Sequence, residues 1–147
     1  MVTTSAPKVG ASVPRVDGRD KVSGKAKYVD DLSLPGMLHA ATVRSTVAHG
    51  ILEEIRLDPS FDWSDIVVAT ADDIPGTNVV SLIEDDQPAL VPVGGTIKHV
   101  DQAVAIVAAP TRRAAFEALE HVELVVQELP AVFDLEEALE AKVAVYK

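Results

Sequence analysis

The stretch Gln102-Ala-Val-Ala-Ile-Val-Ala108, together with the residues after it, decides the fold class of this chain. A run that is apolar after its first residue, has the length of a strand and is punctuated by Pro110 predicts a buried strand. Thr111 is the expected N-cap of a helix over 112–122, and the alternating residues that follow predict a strand over 122–129. This order indicates a helix that crosses between two strands of one sheet.

The predicted helix carries one apolar stripe, which consists of Ala115, Ala118, Leu119 and Val122. We expect Leu119 to pack on the preceding strand and Ile106 to be buried within that strand. The remaining predicted elements are strands over 37–43, 50–57 and 65–70, a turn over 71–76, and a short helix from the capping box of Asp134 and Glu137 to about Ala141. Together they predict an α+β fold, a single small domain with a mixed sheet and a crossover helix.

The composition excludes several classes of protein. The 147 residues include 13 basic and 23 acidic residues, so the formal net charge is −10, a sign that argues against nucleic-acid binding. The chain has no cysteine, which excludes disulfides and cysteine-ligated iron–sulfur clusters within it. Residues 1–7 lack the features of a secretory signal, and no apolar run approaches the ~20 residues of a membrane span. We therefore expect a soluble, cytoplasmic protein.

The start of the chain differs from the rest. Residues 1–13 are small and polar, and they predict a flexible N-terminal arm that becomes ordered only against a partner. In the charged block that follows, Asp17 is expected to cap a short helical turn through Lys21. We assign residues 1–13 to the arm and residues 14–147 to one folded domain.

The histidines show no spacing typical of a metal site or a catalytic site. None pairs with another at the i, i+3 or i, i+4 spacing of metal ligands, so only the fold could bring them together: His39, His49, His99 and His121. Ser45 and His49 lie four residues apart, but no third residue is placed to orient the imidazole. A catalytic dyad is therefore not expected.

The acidic clusters and the glycine pair also have simple explanations. No cluster matches a calcium-binding loop, and each is expected to form a solvated loop: Asp30-Asp31, Asp72-Asp73 and Glu84-Asp85-Asp86. Gly94-Gly95 lacks the spacing of a phosphate-binding loop and predicts a turn between strands. We predict no catalytic, cofactor-binding or metal-binding residue in this chain.

Several short segments, each of which is only a weak indication of a family by itself, occur in a specific order. They are Pro14–Asp31 with its Lys-Val-Ser-Gly and Ala-x-Tyr, Leu34–Ala40, Arg44-Ser45, Ile74–Asn78, Val104–Ala108, Glu128–Val132 and Glu136–Leu139. In this order, from about Val9 to Ala141, they resemble the N-terminal a/b hammerhead domain of the molybdopterin-binding large subunit in the xanthine dehydrogenase/aldehyde oxidase family of molybdenum hydroxylases. The match covers nearly the whole chain.

The resemblance has two departures, both at expected turns. The family commonly has Ser-Pro-His after the arginine, where this chain has Ser45-Thr46-Val47. It also commonly has Gly-Gln-Pro before the central strand, where this chain has Asp101-Gln102-Ala103. These differences concern the local shape of the two loops.

The resemblance implies a role in an oxidoreductase. Members of the family hydroxylate aldehydes or heterocycles with water-derived oxygen at a molybdenum–molybdopterin centre, and electrons leave through [2Fe-2S] clusters, usually to FAD. The residues that hold these groups belong to other domains or subunits, so the resemblance assigns no cofactor and no catalytic residue to this chain. It implies three partners: a molybdopterin-binding large subunit, an iron–sulfur subunit and a flavin subunit.

Our leading hypothesis is therefore a structural, interface-forming hammerhead subunit of a split molybdenum hydroxylase that acts in a hetero-oligomer. One rival is a free-standing small-molecule-binding or regulatory α+β module, because a fold does not determine a function. A second rival is a fragment that is excised from a longer enzyme. The sequence leaves open the substrate, the electron acceptor and the stoichiometry of the complex.

Overall fold

The structure, a computed structural model, describes residues 9–10, 12–80 and 83–141. The chain divides into two compact units, Met1–Pro35 and Gly36–Lys147. Most of the predicted arm over 1–13 lies outside the described residues, and the assignment of a domain to 14–147 stays a prediction. The first unit contains helix α1, Gly18–Val22, and a short 3-10 turn at Val29–Asp31.

Helix α1 begins after Asp17, as expected, but the Asp17 side chain does not cap it. The carboxylate instead accepts from the Arg15 guanidinium and lies 2.7 Å from the Lys21 ammonium. These two cations hold the pKa of Asp17 below its ordinary value, with Lys21 contributing more than Arg15. The helical turn is therefore accompanied by a surface ion cluster in place of a cap.

The described residues of the second unit form two three-stranded sheets, two α-helices and a short 3-10 turn at Ala71–Asp73. One sheet has the strand order β1-β5-β3 and the other has the order β4-β2-β6. The elements of this unit are β1 His39–Arg44, β2 Gly50–Leu57, β3 Val67–Ala69, β4 Thr96–Ile97, β5 Ala103–Ala109, α2 Arg112–Leu119, β6 Val122–Glu128 and α3 Leu135–Ala141. The α+β class is confirmed, while the two-residue strand β4 was not predicted because it is too short to show a period.

The expectation of one mixed sheet with a crossover helix is wrong. All strand pairs of the described residues are antiparallel, and the strands on either side of α2 lie in different sheets. Strand β5 already pairs with β1 along one edge and with β3 along the other, so β6 has no free edge beside it. Strand β6 pairs with β2 instead, over seven residues.

A β-bulge in each sheet explains the imperfect alternation of its sequence. In β5, Val43 pairs with Ala105 and Arg44 with Ala103, so Val104 is the extra residue, and both Val104 and Ala105 are buried. In β2 the register shifts between Leu52 and Glu54. A bulge re-aims the side chains that follow it, which is why a strict two-residue period does not describe either strand.

Helix α2 packs on the sheet β1-β5-β3 through two alanines. Thr111 caps it as predicted, because its Oγ1 accepts the backbone N–H of Ala114 at 3.1 Å. Ala115 and Ala118 are buried, and Ala118 packs against Val107 in the main core cluster. Small residues on the helix let its backbone approach the sheet closely, so little volume is needed between the two layers.

The predicted burial of Ile106 and Leu119 is only partly correct. Leu119 is half-buried against two core clusters. Ile106 is also only half-buried, because after the bulge the inward positions of β5 are Ala105, Val107 and Ala109. Successive residues of a strand point to opposite faces, so Ile106 lies on the face away from α2.

Candidate functional site

The second unit contains a cleft of about 520 Å³. It lies where the start of β2, the end of β4 and the segment between β6 and α3 come together. Its lining is mostly apolar with a few polar groups: Ala48, His49, Thr96, Lys98, His99, Val100, Pro130, Ala131, Val132, Phe133 and Ala138. No sequence motif could have indicated this site, because the pairing of β2 with β4 and β6 creates it.

The fold brings two of the four histidines, His49 and His99, to this cleft. His49 Nδ1 lies 2.6 Å from the carbonyl oxygen of Pro130, and His99 Nδ1 lies 2.8 Å from that of Val100. Because a carbonyl oxygen only accepts, Nδ1 donates in both rings, and in each neutral ring the lone pair resides on Nε2. Both imidazoles are therefore oriented by the backbone.

These two imidazoles do not form a metal centre with other ligands. Among the described residues there is no group of three or more histidine, cysteine or carboxylate side chains that could hold a metal ion. His39 is exposed on β1, and His121 lies in a different cluster. The cleft can hold an apolar or aromatic group and offer it imidazole hydrogen bonds, which is a binding arrangement.

Ser45 and His49 do not form a dyad. The Ser45 hydroxyl is buried, donates to the carbonyl of Val47 at 2.8 Å and accepts the N–H of that residue at 3.0 Å. The Nδ1–H of His49 is donated to the carbonyl of Pro130. Ser45 therefore shapes the turn between β1 and β2.

His121 forms a polar cluster with Asp58 at the edge of the β1-β5-β3 core. Its Nδ1 lies 3.0 Å from Oδ2 of Asp58, and its ring stacks on Phe61 with centroids 4.1 Å apart. Hydrogen bonds from Ser60, and then from His121, lower the pKa of Asp58 from 3.8 to about 2. The backbone carbonyl of Asp58 also accepts the indole N–H of Trp63. The cluster ties the 58–63 loop to the end of α2.

The acidic pairs have the local roles that solvated loops require. The carboxylate of Asp73 accepts from the backbone N–H and the hydroxyl of Thr70, and these bonds lower its pKa. Asp31 accepts the backbone N–H of Tyr28 at 3.0 Å. Each of these two carboxylates thus stabilises the 3-10 turn that contains it, Ala71–Asp73 for Asp73 and Val29–Asp31 for Asp31. Gly94 has φ +81, and its N–H donates to the Leu52 carbonyl, as a turn between strands requires.

The two places where the sequence departs from the resembled family lie in contact. Ser45 N–H donates to the Gln102 carbonyl at 2.9 Å, and Asp101 N–H donates to the Ser45 carbonyl at 2.8 Å. The Arg44 guanidinium donates to the Asp101 carbonyl at 2.8 Å. Gln102 is buried, and its side-chain oxygen accepts the N–H of Lys98. The two departures therefore occur at one structural site beside the β5 bulge.

None of the helices in the described ranges combines the length and the apolar character that crossing a bilayer requires.

Comparison with known proteins identifies relatives across most of the chain. The profile of the family described as aldehyde oxidase and xanthine dehydrogenase, a/b hammerhead domain, matches residues 23–130. A probable xanthine dehydrogenase subunit of Bacillus subtilis (strain 168) is 36% identical over 126 residues, which are 85% of this chain and 17% of that protein. The nicotinate dehydrogenase large molybdopterin subunit of Eubacterium barkeri is 37% identical over 134 residues, which are 90% of this chain and 31% of that protein.

Solved structures show the same fold. The Cu,Mo-CO dehydrogenase in its carbon monoxide reduced state superposes with a TM-score of 0.77 at 32% identity, over 88% of this chain and 16% of that one. Quinoline 2-oxidoreductase from Pseudomonas putida 86 superposes with a TM-score of 0.74 at 30% identity, over 92% of this chain and 18% of that one. In each comparison the chain spans less than a third of its relative's length.

Proposed function

Because this chain belongs to the aldehyde oxidase and xanthine dehydrogenase family through its a/b hammerhead domain, we propose that it is a structural, interface-forming part of a molybdenum hydroxylase. In this proposal the chemistry takes place on sequence outside these 147 residues, on a partner chain of a split large subunit. The complex would oxidise a heterocycle, such as a purine, or an aldehyde with water-derived oxygen. We place this complex in the cytoplasm.

One observation carries the proposal. The fold superposes on the Cu,Mo-CO dehydrogenase over 88% of this chain, yet this match accounts for only 16% of that enzyme's chain. The same fold is thus embedded there in a much longer polypeptide. In that enzyme the domain has neighbouring sequence to pack against, and this supports a structural role at such an interface.

The described residues contain no cluster of side chains that could itself hold a metal ion or an iron–sulfur cluster. The two imidazoles of the cleft have no third ligand beside them among these residues, and the chain has no cysteine for a [2Fe-2S] cluster. In this proposal the partners supply the molybdenum–molybdopterin, the [2Fe-2S] clusters and the FAD. We name them by these groups: a molybdopterin-binding large subunit, an iron–sulfur subunit and a flavin subunit.

Affinity purification from the source cells tests the proposal. The full chain carries a tag, and molybdenum, pterin, iron and flavin are measured in the recovered material, with the purified 147-residue chain and the tag alone as controls. We expect molybdenum and pterin with the chain from cells and none with the chain purified alone. Stoichiometric molybdenum on the isolated chain, or none with the chain from cells, would contradict the proposal.

The cleft favours a second candidate function, a small-molecule-binding module. Its volume of about 520 Å³ and its apolar lining suit a ligand with an aromatic ring. The test is binding of the fluorescent probe anilinonaphthalene sulfonate to the isolated chain, with Ala131→Trp to fill the cleft. Phe116→Ala, which removes an exposed aromatic ring outside the cleft, is the matched control. Probe binding that is abolished by Ala131→Trp and kept by Phe116→Ala would support this second candidate.

A further inference from the structure

The sheet β1-β5-β3 has a second face, on the side away from α2. Strand register places two rows of residues there: Ala40, Ala108 and Val67 in one row, and Thr42, Ile106 and Ala69 in the other. We call these six residues the outer sheet face. The residues between them on each strand, Ala41, Val107 and Val68, belong to or pack against the core clusters on the α2 side.

The outer sheet face lacks the polar character of a solvated sheet face. An antiparallel sheet that packs on one side only alternates apolar and polar residues, with the polar ones outward. Here none of the six outward residues is ionisable and only Thr42 is polar, although they lie in a chain of net charge −10. Sequence that is apolar on both faces of a sheet is typical of strands covered on both sides.

The outer sheet face is exposed on its two edge strands and partly buried elsewhere. Val67 is 55% exposed on β3 and Ala40 is exposed on β1, whereas the other four residues are half-buried: Thr42, Ala69, Ile106 and Ala108. The opposite face is already filled by Ala115 and Ala118 of α2. The outer sheet face therefore exposes apolar area that a second layer could cover.

We propose that the outer sheet face is a docking surface for the molybdenum-carrying part of the hydroxylase, and that its occupant is an apolar segment of that polypeptide outside residues 1–147. This inference rests on the proposed function. It commits to this occupant because, in the two matched solved enzymes, this fold accounts for only 16% and 18% of the chain, so most of each polypeptide lies outside it.

The chemistry of the surface describes the segment that fits it. Three of the six side chains are alanines, so the backbone of an incoming helix or strand can approach closely, as α2 does on the other face. Val67 and Ile106 provide the larger apolar contacts. The face has no charge to pair, so a charged segment would lose hydration without compensation.

A pair of substitutions on tagged full-length chains in the source cells tests the proposal. Val67→Asp puts a carboxylate on the outer sheet face, where Val67 is 55% exposed. The control Val93→Asp puts one in the turn after Val91, where Val93 is 58% exposed. A carboxylate in an apolar interface stays unpaired, so we expect Val67→Asp to lower the molybdenum recovered per chain by at least about tenfold. Val93→Asp should recover as much molybdenum as the unmodified chain.

Melting curves of both variants show whether Val67→Asp disturbs folding. If it does, photo-crosslinking provides a second test of the docking surface. The photoreactive residue p-benzoylphenylalanine replaces Val67 in one chain and Val93 in another, and crosslinked peptides are identified by mass spectrometry. We expect the probe at position 67 to label sequence outside residues 1–147 on the molybdenum-carrying polypeptide, and the probe at position 93 not to do so.

The outcomes separate this inference from the proposed function. Recovery of molybdenum by the unmodified chain, with probe 67 labelling only residues 1–147 or a second copy of this chain, would overturn the docking surface alone. Equal loss of molybdenum in both aspartate variants would also overturn it. Absence of molybdenum with the unmodified chain would overturn both proposals.

Discussion

The backbone N–H of Asp101 donates to the carbonyl oxygen of Ser45 at 2.8 Å, and this bond joins the two loops in which the chain departs from its family. To make it, Asp101 adopts φ 64, the one positive φ among the non-glycine residues that the structure describes. The family commonly has glycine at this position, and glycine reaches this conformation without steric cost. Asp101 therefore holds a conformation that suits glycine better, at a position where the resembled family commonly has glycine.

Asp101→Gly should stabilise the chain. Relief of the left-handed conformation outweighs the greater freedom of glycine in the unfolded state, and we expect a gain of about 0.5–1 kcal/mol. Asp101→Ala should lower stability, because alanine tolerates positive φ less well than aspartate. Urea unfolding followed by circular dichroism measures both. A destabilising effect of Asp101→Gly would show that the aspartate side chain contributes more than the conformation costs.

Leu52 and Leu57 provide a matched test of the core from one strand. Leu52 is fully buried with Val91, Ile97 and Val104, whereas Leu57 is 40% exposed. Leu52→Ala should cost about 2–5 kcal/mol in the free energy of unfolding because it leaves a cavity. Leu57→Ala should cost about 1 kcal/mol or less. Equal costs in thermal and urea unfolding would contradict the bulged register of β2.

Gly50 is required by the close approach of β2 to β6. A Cβ atom at this position would lie 2.5 Å from Val126 Cγ1 and 2.8 Å from the backbone oxygen of Gln127. Because the backbone oxygen cannot move aside, Gly50→Ala should cost about 1–3 kcal/mol. Gly76→Ala is the control, since its Cβ would meet no atom within 4 Å. Equal melting temperatures of Gly50→Ala and Gly76→Ala would contradict the pairing of Gly50 with Glu128.

The hydrogen bonds that Asp58 accepts from Ser60 and from His121 predict acid sensitivity. The folded chain holds the pKa of Asp58 at about 2, below its ordinary value of 3.8, so the folded state binds the proton less readily than the unfolded state. The resulting stabilisation is complete above about pH 4 and is lost as the pH falls through about 2. Asp58→Asn should therefore melt lower than the unmodified chain at about pH 6, and the difference should shrink towards about pH 2.

The matched control for this pH dependence is Asp65→Asn, which changes an exposed carboxylate close to the same loop. Its melting temperature should follow that of the unmodified chain across the whole range. A difference between Asp58→Asn and the unmodified chain that stays constant from about pH 6 to about pH 2 would mean that ionisation of Asp58 does not contribute.

The sequence by itself determined the elements whose signals are local. Each of these signals lies within one strand or one helix: the apolar run over 102–108, the Thr111 cap, and the stripe of Ala115 and Ala118. Such signals depend only on residues that are close together in the sequence. The ordered segments along the chain also identified the family, because a family resemblance depends on order and residue type and not on contacts.

Only the tertiary structure decided the relationships between distant segments. Whether β5 and β6 share a sheet depends on which strand edges remain free, and β1 and β3 occupy both edges of β5. The outward direction of Ile106 depends on a bulge against β1, a strand that lies far away in the sequence. The cleft of His49 and His99 depends on the pairing of Gly50 with Ile97 and with Glu128. Such pairings are set by packing over the whole domain, which a local pattern does not contain.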